Sequence, residues 1–176
     1  SRPVWMSAEM RGFAVVLCCL LSAGTAFAAD GGKPDFDFET GGSAAAVGEV
    51  TERSIRGELA FCGGEAKDIA KATPKLVTQW RKRNAAWLSA SLRVRAEMRA
   101  RLVGSDAANN GPIFDRDFEQ AIAGVVQRST DRLRTIADPA QRLTICRDLM
   151  KDVKDGRRDV STVNEKATAM LRGYMK

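Results

Sequence analysis

Histidine is absent from all 176 residues of the chain. This absence excludes a Ser-His-Asp triad, a Cys-His catalytic pair and any metal site built on imidazole. Aromatic residues make up only 6% of the chain, which leaves few rings for stacking on nucleic-acid bases, and nucleic acid is therefore not an expected partner. No alternating run of β-branched residues bounded by turn residues occurs, so no β-sheet is predicted.

The N-terminal residues have the pattern of a secretory signal. Met10-Arg11 is a positive start, Gly12–Leu21 is a short apolar run, and Ala26-x-Ala28 is a cleavage site. Residues 1–28 are therefore predicted to be upstream residues plus a signal peptide, and the mature protein is expected to be periplasmic or secreted. A retained membrane anchor is the alternative, which the shortness of the apolar run disfavours. No later segment is long and apolar enough to span a membrane.

Two of the four cysteines, Cys62 and Cys146, remain after the predicted cleavage. Two cysteines allow a single intramolecular pairing, and an oxidising compartment favours it. A Cys62–Cys146 disulfide is therefore predicted. The alternative is a pair of free thiols, with Cys146 as a small buried hydrophobic residue. Redox catalysis is not expected, because neither a Cys-x-x-Cys spacing nor a histidine is present to activate a thiolate.

Residues 29–44 are predicted to be a flexible linker, because they are acidic and rich in glycine. Alternating carboxylates at Asp35, Asp37 and Glu39 are like the start of a calcium-binding loop. The match ends at Thr40, which occupies the position that requires glycine. The linker is therefore interpreted as solvated, and residues 45–176 are predicted to form a single domain.

The domain is predicted to be all-α, an antiparallel bundle of four to five helices joined by the disulfide. Apolar residues recur at helical spacing through most of it, and Gly104 and Gly156 follow two of the helical segments. Three prolines are further signals, because proline is favoured at the first position of a helix, and two of them follow a residue that can cap it. Thr73-Pro74 predicts the start of a long helix to Val103, and Pro112 and Asp138-Pro139 predict the next two starts. Asp159 is predicted to cap a last helix.

Trp80, Asn84 and Trp87 share the apolar face of the predicted long helix. Two indole rings beside an amide are suited to binding a sugar, by ring stacking and paired hydrogen bonds. The alternative is a core in which Asn84 makes one buried hydrogen bond and both rings are packed inside the protein. No cofactor is implied by this or any other pattern in the chain.

The predicted long helix is strongly basic, since residues 69–104 hold nine basic residues and one glutamate, net +8. Such a segment suggests contact with an anionic polymer. The candidate anion-binding residues are Arg81, Lys82, Arg83, Arg93, Arg95, Arg99 and Arg101. They surround the apolar face instead of forming one face. The alternative is therefore that they pair with acidic residues of neighbouring helices, such as Asp115, Asp117 and Glu119.

These observations favour an exported, non-enzymatic helical protein that binds a partner in the cell envelope. The partner is unidentified; an envelope protein or an anionic polymer fits the charge. Two other functions stay open. One is an envelope glycan-cleaving enzyme that uses Glu or Asp alone, since that chemistry needs no histidine. The other is a periplasmic holdase chaperone whose basic helical surface meets unfolded clients.

Overall fold

A computed structural model describes residues 36–175 of the chain. The predicted signal segment and residues 29–35 of the predicted linker lie outside these residues. Within them the chain forms seven helices and no strand, which confirms the all-α prediction. The helices are α1 Phe38–Glu65, α2 Lys67–Arg83, α3 Ala85–Val103, α4 Ala107–Arg134, α5 Pro139–Lys154, α6 Val160–Val163 and α7 Glu165–Arg172.

Helix α1 is the centre of the bundle and packs against α2, α3, α4, α5 and α7. Its first half consists largely of glycine and alanine, which are buried. Their small size lets α3 approach closely, and Ser91 Oγ lies 2.7 Å from the carbonyl oxygen of Ala44 and 2.9 Å from that of Ala45. A Cβ placed on Gly48 would lie 3.0 Å from a methyl of Leu88 and 3.3 Å from Cβ of Ser91. The composition that predicted a linker therefore serves helix packing.

The predicted linker boundary at residue 44 is corrected by the start of α1 at Phe38. Asp37 caps this helix, because its Oδ1 accepts hydrogen bonds from the backbone N–H groups of Glu39 and Thr40. The side-chain hydrogen bond from the Thr40 hydroxyl is the largest cause that lowers the pKa of Asp37. The ring of Phe36 covers Gly41, where any Cβ would collide with it.

The predicted long helix is divided at Asn84 into α2 and α3. Its predicted start at Thr73-Pro74 is wrong, because α2 begins at Lys67 and Pro74 lies inside it. Thr73 does not act as an N-cap; its hydroxyl donates to the carbonyl oxygen of Ile69 one turn earlier. Ile69 is fully buried, so packing holds the turn that precedes the proline in helical form.

Two other predicted boundaries also move. Helix α4 begins at Ala107, so Pro112 lies inside it instead of opening it. The predicted last helix from Asp159 is divided at Asn164 into α6 and α7, and Asn164 caps α7 through the N–H of Ala167. By contrast, Asp138 accepts a hydrogen bond from Ala140 N as the cap of α5, which confirms that predicted start.

Helix directions follow from pairs of contacting residues. Gly63 lies against Ala70, and Glu52 pairs with Arg81, so α2 runs antiparallel to α1. The Cys62–Cys146 disulfide, with Cα atoms 5.4 Å apart, joins the end of α1 to α5 and confirms the predicted pairing. No helix within residues 36–175 has the length and apolar character needed to cross a bilayer.

Candidate functional site

The junction between α2 and α3 contains the predicted Trp80, Asn84 and Trp87. Trp80, in the last turn of α2, is completely buried, and its Nε1–H donates to the carbonyl oxygen of Arg158 at 2.9 Å. Arg158 lies in the segment between α5 and α6. The indole therefore anchors that segment to the end of α2, and its hydrogen-bonding group is engaged within the chain.

Asn84 is also completely buried, and its amide makes three hydrogen bonds. Its Nδ2 donates to the Trp80 carbonyl oxygen and to Asp159 Oδ1, both at 2.9 Å. Its Oδ1 accepts from the backbone N–H of Val160 at 2.8 Å. Both N–H groups and the carbonyl oxygen of the amide are thus directed at groups of the protein itself. This arrangement joins the α2–α3 break to the start of α6.

Trp87 lies in the first turn of α3 and is half-buried against the core. The structure therefore brings the three predicted residues to one junction but gives them different surroundings. Because Trp80 and Asn84 direct their polar atoms inward, the sugar-binding hypothesis rests on the exposed part of the Trp87 ring.

Charged residues around this junction form further hydrogen bonds and ion pairs that the sequence did not predict. Arg83 donates to both carboxylate oxygens of Asp159, at 3.1 and 3.2 Å, and to the carbonyl oxygen of Val153 at 2.6 Å. Arg158 pairs with Glu58 of α1 at 2.8 Å, where the two side chains are only 14% and 9% exposed. Asp159 was predicted as a helix cap, but its 75-residue separation from Asn84 leaves no local signal for this bond.

The predicted anion-binding arginines lie on different sides of α2 and α3, and most pair with carboxylates. Arg93 differs, because it donates to the carbonyl oxygen of Tyr174 at 2.6 Å, and Lys82 is exposed. The ion pairs are Arg81 with Glu52, Arg83 with Asp159, Arg95 with Glu49, Arg99 with Asp115, and Arg101 with Glu97. The structure thus distributes these cations among carboxylates of three helices, α1, α3 and α4, and the segment before α6.

Arg95 shows how one of these cations is held. Its guanidinium lies 4.3 Å from the centre of the Phe118 ring and pairs with Glu49 at 3.3 Å. Glu49 also pairs with Arg53, which reaches Glu119 on α4 at 2.5 Å. The hydrogen bond to Glu119 is the largest cause that raises the pKa of Arg53. This network connects α1, α3 and α4.

Tyr174, just after α7, is held against α3. Its hydroxyl donates to Glu97 Oε2 at 2.5 Å, and Glu97 also pairs with Arg101. Burial is the main cause that raises the pKa of Tyr174 to about 12, and the nearby Glu97 carboxylate raises it further. The phenol is therefore kept protonated and serves as a hydrogen-bond donor.

In the part of the chain that the structure describes, no group of three or more Cys, Asp or Glu side chains is placed to hold a metal ion. The chain matches no protein-family model, and no curated protein or solved structure is significantly similar to it.

Proposed function

We propose that this chain is an exported, disulfide-bonded helical protein of the cell envelope that binds a partner through its surface and has no catalytic activity. The observation that carries the proposal is the Cys62–Cys146 disulfide, which closes a sequence separation of 84 residues and is completely buried. Disulfides form and persist in oxidising compartments. The signal pattern in residues 1–28 supports the same compartment.

The inward direction of the polar groups at the candidate site supports binding through the outer surface. Trp80 and Asn84 donate and accept within the chain, and most arginines of α2 and α3 pair with carboxylates. The groups left to meet a partner are those on the outer faces of the helices, where charge dominates. A surface of this kind recognises charge and shape, which suits a binding protein.

A localisation experiment tests the compartment. The full chain is produced in a bacterial host, and the fractions are treated with a maleimide reagent before and after reduction in denaturant. We expect a protein shortened by the signal segment in the periplasmic fraction, with Cys62 and Cys146 reacting only after reduction. The control replaces Leu17 and Leu20 by arginine, which should retain full-length, thiol-reactive protein in the cytoplasm. Full-length wild type with reactive thiols would contradict the proposal.

The two alternative functions differ in what the purified protein does. A glycan-cleaving enzyme releases soluble fragments from isolated cell wall, and a holdase suppresses aggregation of an unrelated unfolding protein at near-stoichiometric amounts. We expect neither effect. Release of fragments that is lost on replacing a single Glu or Asp would replace the present proposal by the enzyme.

A further inference from the structure

Exposed cations without carboxylate partners are concentrated on two of the helices. Six of them lie on the outer faces of α2 and α5, and within residues 36–175 none of these six takes part in an ion pair. They are Lys71, Lys75 and Lys82 on α2 and Arg147, Lys151 and Lys154 on α5. Only Lys82 was among the residues predicted to bind anions.

Helices α2 and α5 pack side by side and run in the same direction. At one end, Arg142 in the first turns of α5 pairs at 3.1 Å with Glu65, the last residue of α1, two positions before α2 begins. At the other end, Arg83 in the last turn of α2 donates to the carbonyl oxygen of Val153 near the end of α5. The exposed cations of the two helices therefore form two rows on neighbouring, parallel helices.

The helical wheel places the basic edge of α5 next to α2. Helix α5 is attached to α1 at Cys62, whereas α2 contacts α1 at Glu52 and Gly63. At about 100° per residue, these two contact directions differ by about 90° around the axis of α1. Since α5 runs antiparallel to α1, its right-handed turn directs the edge with Arg147 and Lys154 toward α2. Asp152 lies on the opposite edge, where it pairs with Arg157.

We propose that these six cations form one binding surface, the α2–α5 basic surface, for a linear polyanion without nucleotide bases, such as a polyphosphate or sulfated polysaccharide. The inference deepens the proposed function by naming the chemistry of the partner, and it rests on that function for the compartment. Lys71 to Lys82 extends over roughly 17 Å of helix, so the surface matches a row of anionic groups better than a single one. Three exposed carboxylates border the surface: Asp68 near the start of α2, and Asp148 and Asp155 beside the cations of α5.

The kind of residue on this surface favours a polymer over a membrane or a nucleic acid. A helix that lies on a bilayer buries Trp, Phe or Leu in it. The exposed large hydrophobic residues in the described chain are Leu92 on α3 and Ile113 on α4, on neither of the two helices concerned. Lysine ammonium groups are hydrated point charges that suit contact with repeated anions without fixed geometry.

Fluorescence anisotropy with labelled polyphosphate and labelled heparin tests the surface. The full chain is used with its disulfide formed, over a range of NaCl concentrations. Replacing Lys71, Lys75 and Lys82 together by glutamine should weaken binding about tenfold or more at low salt. It should also lower the slope of log affinity against log salt by roughly two, because three counterion-releasing contacts are lost.

A matched triple variant separates this surface from net charge. Arg128→Gln, Lys166→Gln and Arg172→Gln remove the same charge from exposed positions on α4 and α7. This variant should bind within about twofold of wild type, since distant charges are screened by salt. The double variant Lys151→Gln/Lys154→Gln should weaken polymer binding, as the replacement of Lys71, Lys75 and Lys82 does. Circular dichroism melting confirms that every variant is folded.

Several outcomes would overturn the inference. Equal losses in the two triple variants would reduce the effect to net charge. Binding to vesicles of anionic lipid or to single-stranded DNA, but not to either polymer, would assign the surface to another partner. Failure to bind either polymer would overturn this inference but would not change the result of the localisation experiment. A cytoplasmic location would overturn the proposed function but would not affect polymer binding by the purified protein.

Discussion

Arginine and lysine have different positions in this protein. Arginines of α2 and α3 reach carboxylates on α1, α4 and the segment before α6, as Arg81, Arg83 and Arg99 illustrate. Lysines of α2 and α5 are exposed. The planar guanidinium donates in a fixed geometry and holds two groups in register, whereas a hydrated ammonium gains little from a partner. A cluster of basic residues in the sequence thus contains both structural and accessible cations.

Asn84 gives the sharpest test at the residue scale. Replacing it by leucine removes the bonds to Trp80, Asp159 and Val160 and leaves the buried Val160 N–H without its acceptor. We expect the free energy of unfolding to fall by about 2–3 kcal/mol, the usual effect of unsatisfied buried polar groups. Urea denaturation measures it. Gln120→Leu, at an exposed position on α4, is the control and should change stability by less than about 0.5 kcal/mol.

The ionisation of Tyr174 can be measured without interference from other phenols, because it is the single tyrosine of the chain. Its pKa is raised from 10.0 to about 12, with burial as the first cause. The unfolded chain therefore ionises first as pH rises, so the contribution of this phenol to stability is complete below pH 10 and is lost between 10 and about 12.

Ultraviolet titration of phenolate absorbance should give a midpoint near 12 in the folded protein and near 10 in denaturant. Glu97→Gln removes the carboxylate but keeps an acceptor, so it should lower the folded midpoint while the protein stays folded. A folded midpoint of 10 in wild type would mean that the phenol is not buried against Glu97.

Helix boundaries were predictable where the signal is local. Asp138-Pro139 supplies both a cap and a compatible proline, and α5 starts there. Pro74 and Pro112 carry the same φ restriction but lie inside helices, because neighbouring residues such as Ile69 and Gly111 are buried by other helices. Local chemistry permits a boundary at a proline, and long-range packing decides whether the helix begins earlier.

Substitutions at two glycines of α1 can distinguish the effect of packing from that of helix propensity. A side chain at Gly48 meets Leu88 and Ser91 on α3, whereas nothing lies within 4 Å of a Cβ at Gly64. Gly48→Leu should therefore lower stability by about 1–3 kcal/mol through overpacking. Gly64→Ala should raise stability by up to about 1 kcal/mol, since alanine favours the helix.

Chemical denaturation of the two variants side by side tests this view of α1. A Gly48→Leu variant as stable as wild type would mean that α1 and α3 are not in close contact. Loss of stability in Gly64→Ala would mean that the end of α1 is packed or strained.

At the scale of the whole molecule, the sequence predicts the class of fold and the disulfide but not the candidate site. Apolar spacing and a count of two cysteines are sufficient for the first two. The bonds of Asn84 to Asp159 and of Trp80 to Arg158 join residues 75 and 78 positions apart. The linker, predicted to end at residue 44, was mispredicted for a related reason, because its Ala44 packs against Ser91 of α3, a partner that composition does not reveal.

The disulfide should contribute a large part of the stability of the whole bundle. Cross-linking Cys62 and Cys146 restricts the unfolded chain over a separation of 84 residues, which the chain-entropy treatment equates with about 4.5 kcal/mol. Both positions are completely buried, so alanine is the substitution that adds no buried polar group. The Cys62→Ala/Cys146→Ala variant should therefore unfold at a temperature roughly 10 °C lower.

Hydrogen exchange of the Cys62→Ala/Cys146→Ala variant shows which helices lose stability. Amides of α5 should exchange faster relative to those of α3, because the disulfide holds α5 to α1 whereas α3 packs on α1 through Ser91 and Gly48. Wild type kept reduced is the control and should melt close to the alanine variant. If oxidised wild type, reduced wild type and the variant all melt at the same temperature, α5 is held by packing alone, and the disulfide adds nothing to the stability of the bundle.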